Sequence, residues 1–375
     1  MGFFFYGTLC HPSLLSVILG HEATFQPAFL PDHSVFWVKD QPFPMLVAGG
    51  GGVAGMLMAN LSDEDVARLN YYECGFHYVA REHGVTLADG RRLVAQVCYP
   101  EPGRWQAGAI WSLADWRPRW AETVVAAATD FMAQYPHTPP ETVQRRYGQM
   151  LVRSGARVRA KKLRAGTEAL RRVRTVGDVD CQSVTYPYSA YFSVEERDLR
   201  FRRYDGAMSP VVNRAAFISG DAAILLPYDP IRDRVMLIEQ FRAGPYARGD
   251  ANPWLLEAIA GRIDGGETPD EAARREAREE AGIDLTDLLE GPRYYPSPAA
   301  KAEYLYSFVG LADLPDSAAG LGGLDSEAED IRSHVISFDR LMALVASGEV
   351  DNAPLLILAY WLAAERPRLR AAAGA

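Results

Sequence analysis

The 375-residue chain has only four cysteines and seven histidines, and neither kind is clustered. Cys10, Cys74, Cys98 and Cys181 stand far apart, with no CxxC pair and no spacing that would ring a zinc ion. A disulfide framework, a structural zinc module and a redox dithiol are therefore excluded as organising features, and the thiols read as reduced. Long apolar runs are missing too. No stretch approaches the roughly 18–20 uninterrupted apolar residues of a spanning helix, and no basic segment precedes the first apolar strand, so the expectation is a cytoplasmic protein without membrane contact. Positive charge is in deficit: 39 Lys and Arg face 48 Asp and Glu, for a formal net charge of −9. That balance argues against general nucleic-acid binding. No repeat or long low-complexity segment is visible. What the chain does have is 48% hydrophobic and 11% aromatic residues, enough for real cores in two domains joined by a connector.

The most informative stretch is Gly261–Ile283, GRIDGGETPDEAARREAREEAGI. It reads Gly, five residues, Glu267, seven residues, Arg275-Glu276, an aliphatic, one residue, Glu279-Glu280, one residue, Gly282, an aliphatic. Glu276, Glu279 and Glu280 stand three and four apart and so share one helical face. Like charges placed so closely repel unless cations occupy the face, and hard carboxylate oxygens suit Mg²⁺ or Mn²⁺. The turn at Gly261, Gly265 and Gly266 lets backbone approach the helix start, with Thr268 or Asp270 as the helix cap.

This is a complete Nudix box, and about half of the chain, from near residue 180 to about 368, resembles the Nudix pyrophosphohydrolases. The flanking segments are similar to the ADP-ribose pyrophosphatase subgroup. AAILLPYDPIRDRVMLIEQFR (222–242) reads as two apolar strands joined by a Pro/Asp turn, PWLLEAIAGRI leads into the box, and Pro298 lies sixteen residues beyond Gly282. The segment GGLDSEAEDIRSHVISFDRLMALVASGEVDNAPLLILAYWL follows. The resemblance implies Mg²⁺-dependent hydrolysis of a nucleoside diphosphate sugar, ADP-ribose giving AMP and ribose 5-phosphate, with Mn²⁺ as an alternative ion. It implies Glu276 and Glu280 as direct metal ligands, Glu279 as a third or water-mediated ligand, and the Ala260 carbonyl as the backbone ligand. Glu267 and Arg275 are expected to form an internal ion pair. The base that activates water is expected at Glu327, with Glu329 and Asp330 beside it and Glu303 as the second choice. Arg242 matches a substrate-contacting arginine, and Arg214 one that reaches into the partner subunit's site of a homodimer. Two departures stand out. Ala215 replaces a Glu often found after that arginine, and Ser297-Pro298-Ala299 replaces an SPG turn.

The first hundred residues carry different chemistry. GFFFYGTL (2–9) is an apolar strand running into a small-residue turn, and Ser62 with Asp65 has capping-box spacing for a helix over the following residues. YGTL, then Leu69-Asn70-Tyr71-Tyr72-Glu73 with Tyr78 and Arg81, resembles the gamma-glutamylcyclotransferase (AIG2-like) family. That resemblance implies a small barrel-like sheet with helices. Its Tyr6, Gly7, Thr8 and Leu9 turn would offer backbone N–H groups to an anionic substrate, and Glu73 would be the acid/base that moves a proton during release of 5-oxoproline.

Between these regions, residues 116–175 read as a helical connector, broken at Pro136–Pro140 and then basic, with eleven Lys/Arg against two Glu and with Gly148, Gly155 and Gly166 interrupting it. The expected architecture is thus α+β: a barrel-like cyclotransferase domain over 1–115, the connector over 116–175, and a Nudix α/β/α sandwich over 176–370. The two-domain order resembles bacterial tellurite-resistance proteins of the TrgB type. Two alternatives stay open at this stage: the N-terminal activity as the primary function, and a non-catalytic ADP-ribose sensor.

Overall fold

The computed structural model describes residues 2–162, 170, 175–324 and 329–375. The chain divides into two compact units, Met1–Leu163 and Arg164–Ala375. The first runs β1 (Phe3–Phe5), α1 (Pro12–Leu19), β2 (Gln26–Leu30), β3 (His33–Val38), β4 (Pro44–Ala48), β5 (Val53–Met58), α2 (Asp63–Gly75), β6 (Tyr78–Leu87), β7 (Arg92–Pro100), β8 (Ala107–Ile110), α3 (Leu113–Met132), α4 (Pro140–Gln144) and α5 (Tyr147–Lys162). Strands β1, β5, β2, β6 and β7 close a barrel in that order, and β4, β3 and β8 form a side sheet. All barrel pairings are antiparallel except the seam, where Phe3 and Phe4 run parallel to Gln96 and Val97. A strand buried on both sides reads as a continuous apolar run rather than an alternating one, which is why Phe3, Phe4 and Phe5 are all interior.

Helix α2 begins where the capping box places it: the Asp65 N–H donates to Ser62 Oγ at 3.1 Å, and the Ser62 N–H to Asp65 Oδ2 at 3.0 Å. Its last residue, Gly75, admits α3, since a Cβ there would fall 2.7 Å from Phe131 Cζ. Trp116, Val124, Ala128 and Phe131 of α3, with Tyr147, Met150 and Leu151 of α5, belong to the same buried core as the barrel strands. The segment read as a connector is therefore built into the first unit through Lys162. Gly148 and Gly155 lie inside α5 instead of breaking it. The ~1 kcal/mol that each glycine costs a helix is outweighed by burial of the neighbouring Tyr147, Met150 and Leu151, large apolar side chains worth about 1.5–3 kcal/mol each. Gly166 lies outside the described residues.

The second unit runs β9 (Val179–Ser189), β10 (Ser193–Phe201), β11 (Val212–Ile218), β12 (Ala222–Asp229), β13 (Arg234–Phe241), α6 (Ala243–Arg248), β14 (Trp254–Glu257), β15 (Ile259–Arg262), α7 (Pro269–Ala281), β16 (Asp287–Tyr294), β17 (Leu305–Leu311), β18 (Leu321–Gly322), β19 (Ile331–Ser337), α8 (Phe338–Ser347) and α9 (Ala353–Ala373). The main sheet has the order β16-β17-β12-β13-β19-β18, with β15 on β12 and β14 on β13, while β9 to β11 make a separate three-stranded sheet. Period-two alternation sorts the main sheet into two cores. Ala223, Leu225, Met236 and Ile238 face Ala272, Ala273 and Ala277 of α7. Ile224, Leu226, Val235 and Leu237 face Phe338 and Leu341 of α8 and Leu355, Leu358 and Leu362 of α9. This is the expected α/β/α sandwich. Among the described residues no helix is long and apolar enough to cross a membrane.

Candidate active site

The box folds as strand, turn and helix. Gly266, at φ +79°, turns the chain into α7. Thr268 caps that helix with Glu271: the Thr268 N–H donates to Glu271 Oε2 at 2.9 Å, and the Glu271 N–H returns a longer bond to Thr268 Oγ1 at 3.4 Å. Gly282, at φ +64°, stops it in the left-handed conformation that glycine adopts most readily. Between these ends, Glu276 and Glu280 point toward β15 and are buried, at 9% and 3% exposure. The Ala260 N–H donates to Glu280 Oε2 at 3.2 Å. A Cβ on Gly261 would fall 1.7 Å from Glu276 Oε1, so the glycine is what allows the carboxylate to lie against the strand. Burial pushes Glu276 up to about 7, with Arg275 working against the rise. Burial and then the Glu276 charge push Glu280 up to about 9, while the Ala260 N–H and Arg242 work against it.

Arg275 organises the rest. Its Nε donates to Glu267 Oε1 at 3.0 Å, Nη1 to Glu276 Oε1 at 2.5 Å and to Glu279 Oε2 at 2.8 Å, and Nη2 to the Arg262 carbonyl at 3.0 Å. The ion pair with Glu267 is the one the sequence suggests, and the bonds to Glu276 and Glu279 are additional. With Arg275 in that position, no three His, Cys, Asp or Glu side chains among the described residues form a ready cage for an ion. The donor set nevertheless fits a hard divalent cation. Two buried carboxylates one turn apart oppose each other's ionisation beside strand backbone, and a cation relieves that repulsion.

Arg242, at the end of β13, donates to Glu257 Oε2 at 2.7 Å and is half exposed. Glu327 lies outside the described residues. Glu329, on the same loop, contributes to the rise of both Glu276 and Glu280. The loop runs close to α7, since a Cβ on Gly322 would fall 2.1 Å from the Glu280 carbonyl oxygen. Glu303 is already engaged, accepting from Ser219 Oγ at 2.7 Å and from Lys301 Nζ at 2.9 Å. Arg214 sits exposed on β11, with Nη1 donating to the Asn213 carbonyl at 2.8 Å.

In the first unit, Tyr6, Gly7, Thr8, Leu9 and Glu73 line one cavity of about 60 Å³. Gly7 is required sterically, because a Cβ there would meet Pro44 Cγ at 2.6 Å. The hydroxyls of Tyr6 and Tyr78 are spent on the Cys98 and Pro44 carbonyls, each at 2.8 Å, so neither is committed to Glu73. Its carboxyl is enclosed by protein, though the cavity leaves the residue some accessible surface. Burial raises it from 4.5 to about 7, partly countered by a hydrogen bond with Cys98. An acid whose folded pKa is raised contributes stability that is fully present below the unfolded value and is lost as pH rises through the folded value. Between pH 4.5 and about 7 the native protein should therefore lose up to about 3 kcal/mol through Glu73, less where cavity water solvates the carboxylate. Glu73→Gln is expected to flatten this part of the stability–pH profile in urea unfolding. An unchanged slope would mean that the carboxyl is solvated.

Sequence reasoning missed two features of these sites. The Arg275 clasp on Glu276 and Glu279 was half legible, since Arg275 and Glu279 are four apart and pair on a helix. Val124 and Tyr147 as cavity walls carried no local signal, because they come from two helices other than the one that holds Glu73.

With this geometry in hand, the comparisons are specific. Residues 219–357 match the NUDIX domain family, and residues 3–118 match the family described as Gamma-glutamyl cyclotransferase, AIG2-like. The chain is similar to the ADP-ribose pyrophosphatase of Escherichia coli (strain K12), 42% identical over 175 residues, covering 47% of this chain and 83% of that protein. It is similar to the ADP-ribose pyrophosphatase of Haemophilus influenzae, 35% identical over 177 residues, 47% of this chain and 81% of that one. A GDP-mannose pyrophosphatase of Salmonella arizonae is 32% identical over 148 residues, 39% of this chain and 76% of that protein. The box, its buried carboxylates and these relatives together show that the chain belongs to the Nudix family, its Nudix domain preceded by an AIG2-like domain.

Proposed function

We propose that the second unit is a Mg²⁺-dependent pyrophosphatase that cleaves ADP-ribose to AMP and ribose 5-phosphate. The observation that carries this reading is the pair Glu276 and Glu280, buried against β15 in a chain 42% identical to an ADP-ribose pyrophosphatase. Nudix enzymes as a family work with divalent cations. Glu276, Glu280 and the Ala260 carbonyl would hold the ion, with Glu279 as a further ligand once Arg275 yields it. Such an ion lowers the pKa of the attacking water and takes up charge on the phosphoryl oxygens. Glu327 is the first choice to accept the water's proton, and Glu329, whose charge reaches both ligand carboxylates, is a second candidate from the same loop. Arg242 would bind the phosphates or terminal ribose.

The test is incubation with ADP-ribose and Mg²⁺ in ¹⁸O-labelled water, alongside GDP-mannose. AMP and ribose 5-phosphate are the expected products, with the label reporting which phosphorus water attacks. Inertness toward both sugars would sink the reading.

The three-stranded sheet β9–β11 supports a homodimer. Val184 and Tyr186 lie at alternate positions on one face of β9, the face that Arg214 shares through the register of β10, and stay exposed, at 41% and 42%, an apolar pair that a second copy would cover. Arg214 on the same sheet would then reach the partner's site. Sedimentation should give about twice 41.4 kDa, and Tyr186→Asp should yield a folded monomer of lower activity. A monomeric wild type would rule the arrangement out.

The cavity around Glu73 supports a second activity, cyclotransfer on gamma-glutamyl amines, because an enclosed carboxyl near neutrality is suited to moving a proton between two nitrogens. Any tie to tellurite tolerance would run through these two sites, since the four cysteines stand far apart in the sequence with no CxxC pair.

A further inference from the structure

The walls of the Glu73 cavity do not all come from the AIG2-like match. That match ends at residue 118, yet Val124 of α3 and Tyr147 of α5 line the cavity beside Tyr72, Glu73 and Phe76. Both are buried, at 3% and 4% exposure. Tyr147 meets Phe76 edge-on at 4.7 Å between ring centroids, and its hydroxyl hydrogen-bonds with that of Tyr72, the residue next to Glu73. Phe131 of α3 completes the support, stacked on Phe76 at 5.6 Å and edge-on to Tyr72 at 5.2 Å. These rings are locked to one another rather than to water. The wall is therefore rigid, and a rigid aromatic wall limits what can enter.

We infer that Val124 and Tyr147, supplied by the helices that follow the AIG2-like match, set the size limit of the ligand beside Glu73. The limit favours gamma-glutamyl compounds with a compact amine portion. Glu73 is the only carboxylic acid lining this cavity, and no Lys, Arg or His lines it. Bulk, and not an added anionic group, is thus the variable the wall discriminates. The inference rests on the cyclotransferase reading of this unit.

The experiment uses the full-length protein and a series of gamma-glutamyl amides, methyl, butyl and benzyl, with 5-oxoproline release as the readout and kcat/KM ranked across the series. Wild type should favour the methylamide. Val124→Ala and Tyr147→Leu should shift the preference toward the larger amides by about tenfold, the effect expected when apolar wall atoms are removed from a pocket. Tyr147→Phe keeps the ring and should keep the ranking. A uniform fall across the series in both enlarged variants would mean that the residues only support the fold, and would overturn the inference while leaving the cyclotransferase reading intact. Absence of 5-oxoproline from every amide with wild type would overturn that reading and the inference with it. Should Tyr147→Leu fail to fold, Val124→Ala decides alone, because it removes only two methyl groups.

Discussion

Glu280→Gln is expected to reduce kcat for ADP-ribose hydrolysis by about 10³-fold and, at the same time, to make the metal-free protein more stable above neutral pH. Both effects follow from one carboxyl. Glu280 is 3% exposed, and burial together with the Glu276 charge raises it to about 9 from an ordinary 4.5. Folding without a cation therefore opposes ionisation of this group. Native stability is full below pH 4.5 and falls progressively as pH rises to about 9, a cost on the order of a few kcal/mol. Gln has the same shape, and its carboxamide oxygen still accepts the Ala260 N–H, but it carries no charge to lose or to offer a cation. In EDTA at pH 8 the variant should melt above wild type, and the gap should close near pH 4. Added Mg²⁺ should raise the wild-type midpoint and move the variant much less. A variant that hydrolyses ADP-ribose normally, or melts below wild type in EDTA at pH 8, would contradict the assignment of Glu280 as a ligand.

Arg275→Ala should be the more damaging change to the fold. It removes the guanidinium that Glu267, Glu276 and Glu279 share, and it frees the Arg262 carbonyl. Truncating one partner of a buried charge cluster leaves the others uncompensated, a cost of about 3 kcal/mol, reduced somewhat here because Arg275 keeps 30% side-chain exposure. Lys in its place should recover little, since an ammonium cannot bond in several directions as the planar guanidinium does. Mg²⁺ should restore part of the loss in the Ala variant by supplying positive charge beside Glu276 and Glu279. Urea unfolding with and without Mg²⁺ measures both. An unchanged midpoint in EDTA would remove Arg275 from the structural account.

The box was legible because its chemistry is local. Helix geometry alone places Glu276, Glu279 and Glu280 on one face, and Thr268 and Gly282 mark the ends of α7 within the same 23-residue stretch, Gly261–Ile283. The strands of the main sheet were legible for a similar reason: Ala222–Asp229 and Arg234–Phe241 are apolar runs flanking a turn that Asp233, at φ +57°, completes. The N-terminal barrel was less so. Its closure depends on the parallel pairing of Phe3 and Phe4 with Gln96 and Val97, a contact between residues more than ninety positions apart that no period reveals. The place of the basic helical stretch was hidden for a related reason. Its exposed charges speak only of solvent, whereas the buried Tyr147, Met150 and Leu151 decide where it packs.

By itself, then, the sequence determined which residues carry charge at what helical spacing, where helices start and stop, and which segments alternate or run apolar, since all of these depend on interactions within a few residues. Tertiary structure alone decided the rest. Glu276 and Glu280 become unusual acids only when β15 is laid against α7 and water is displaced, and Glu73 only when helices from beyond its own domain family wall its cavity. Burial and long-range packing set those properties, and both depend on which distant segments meet.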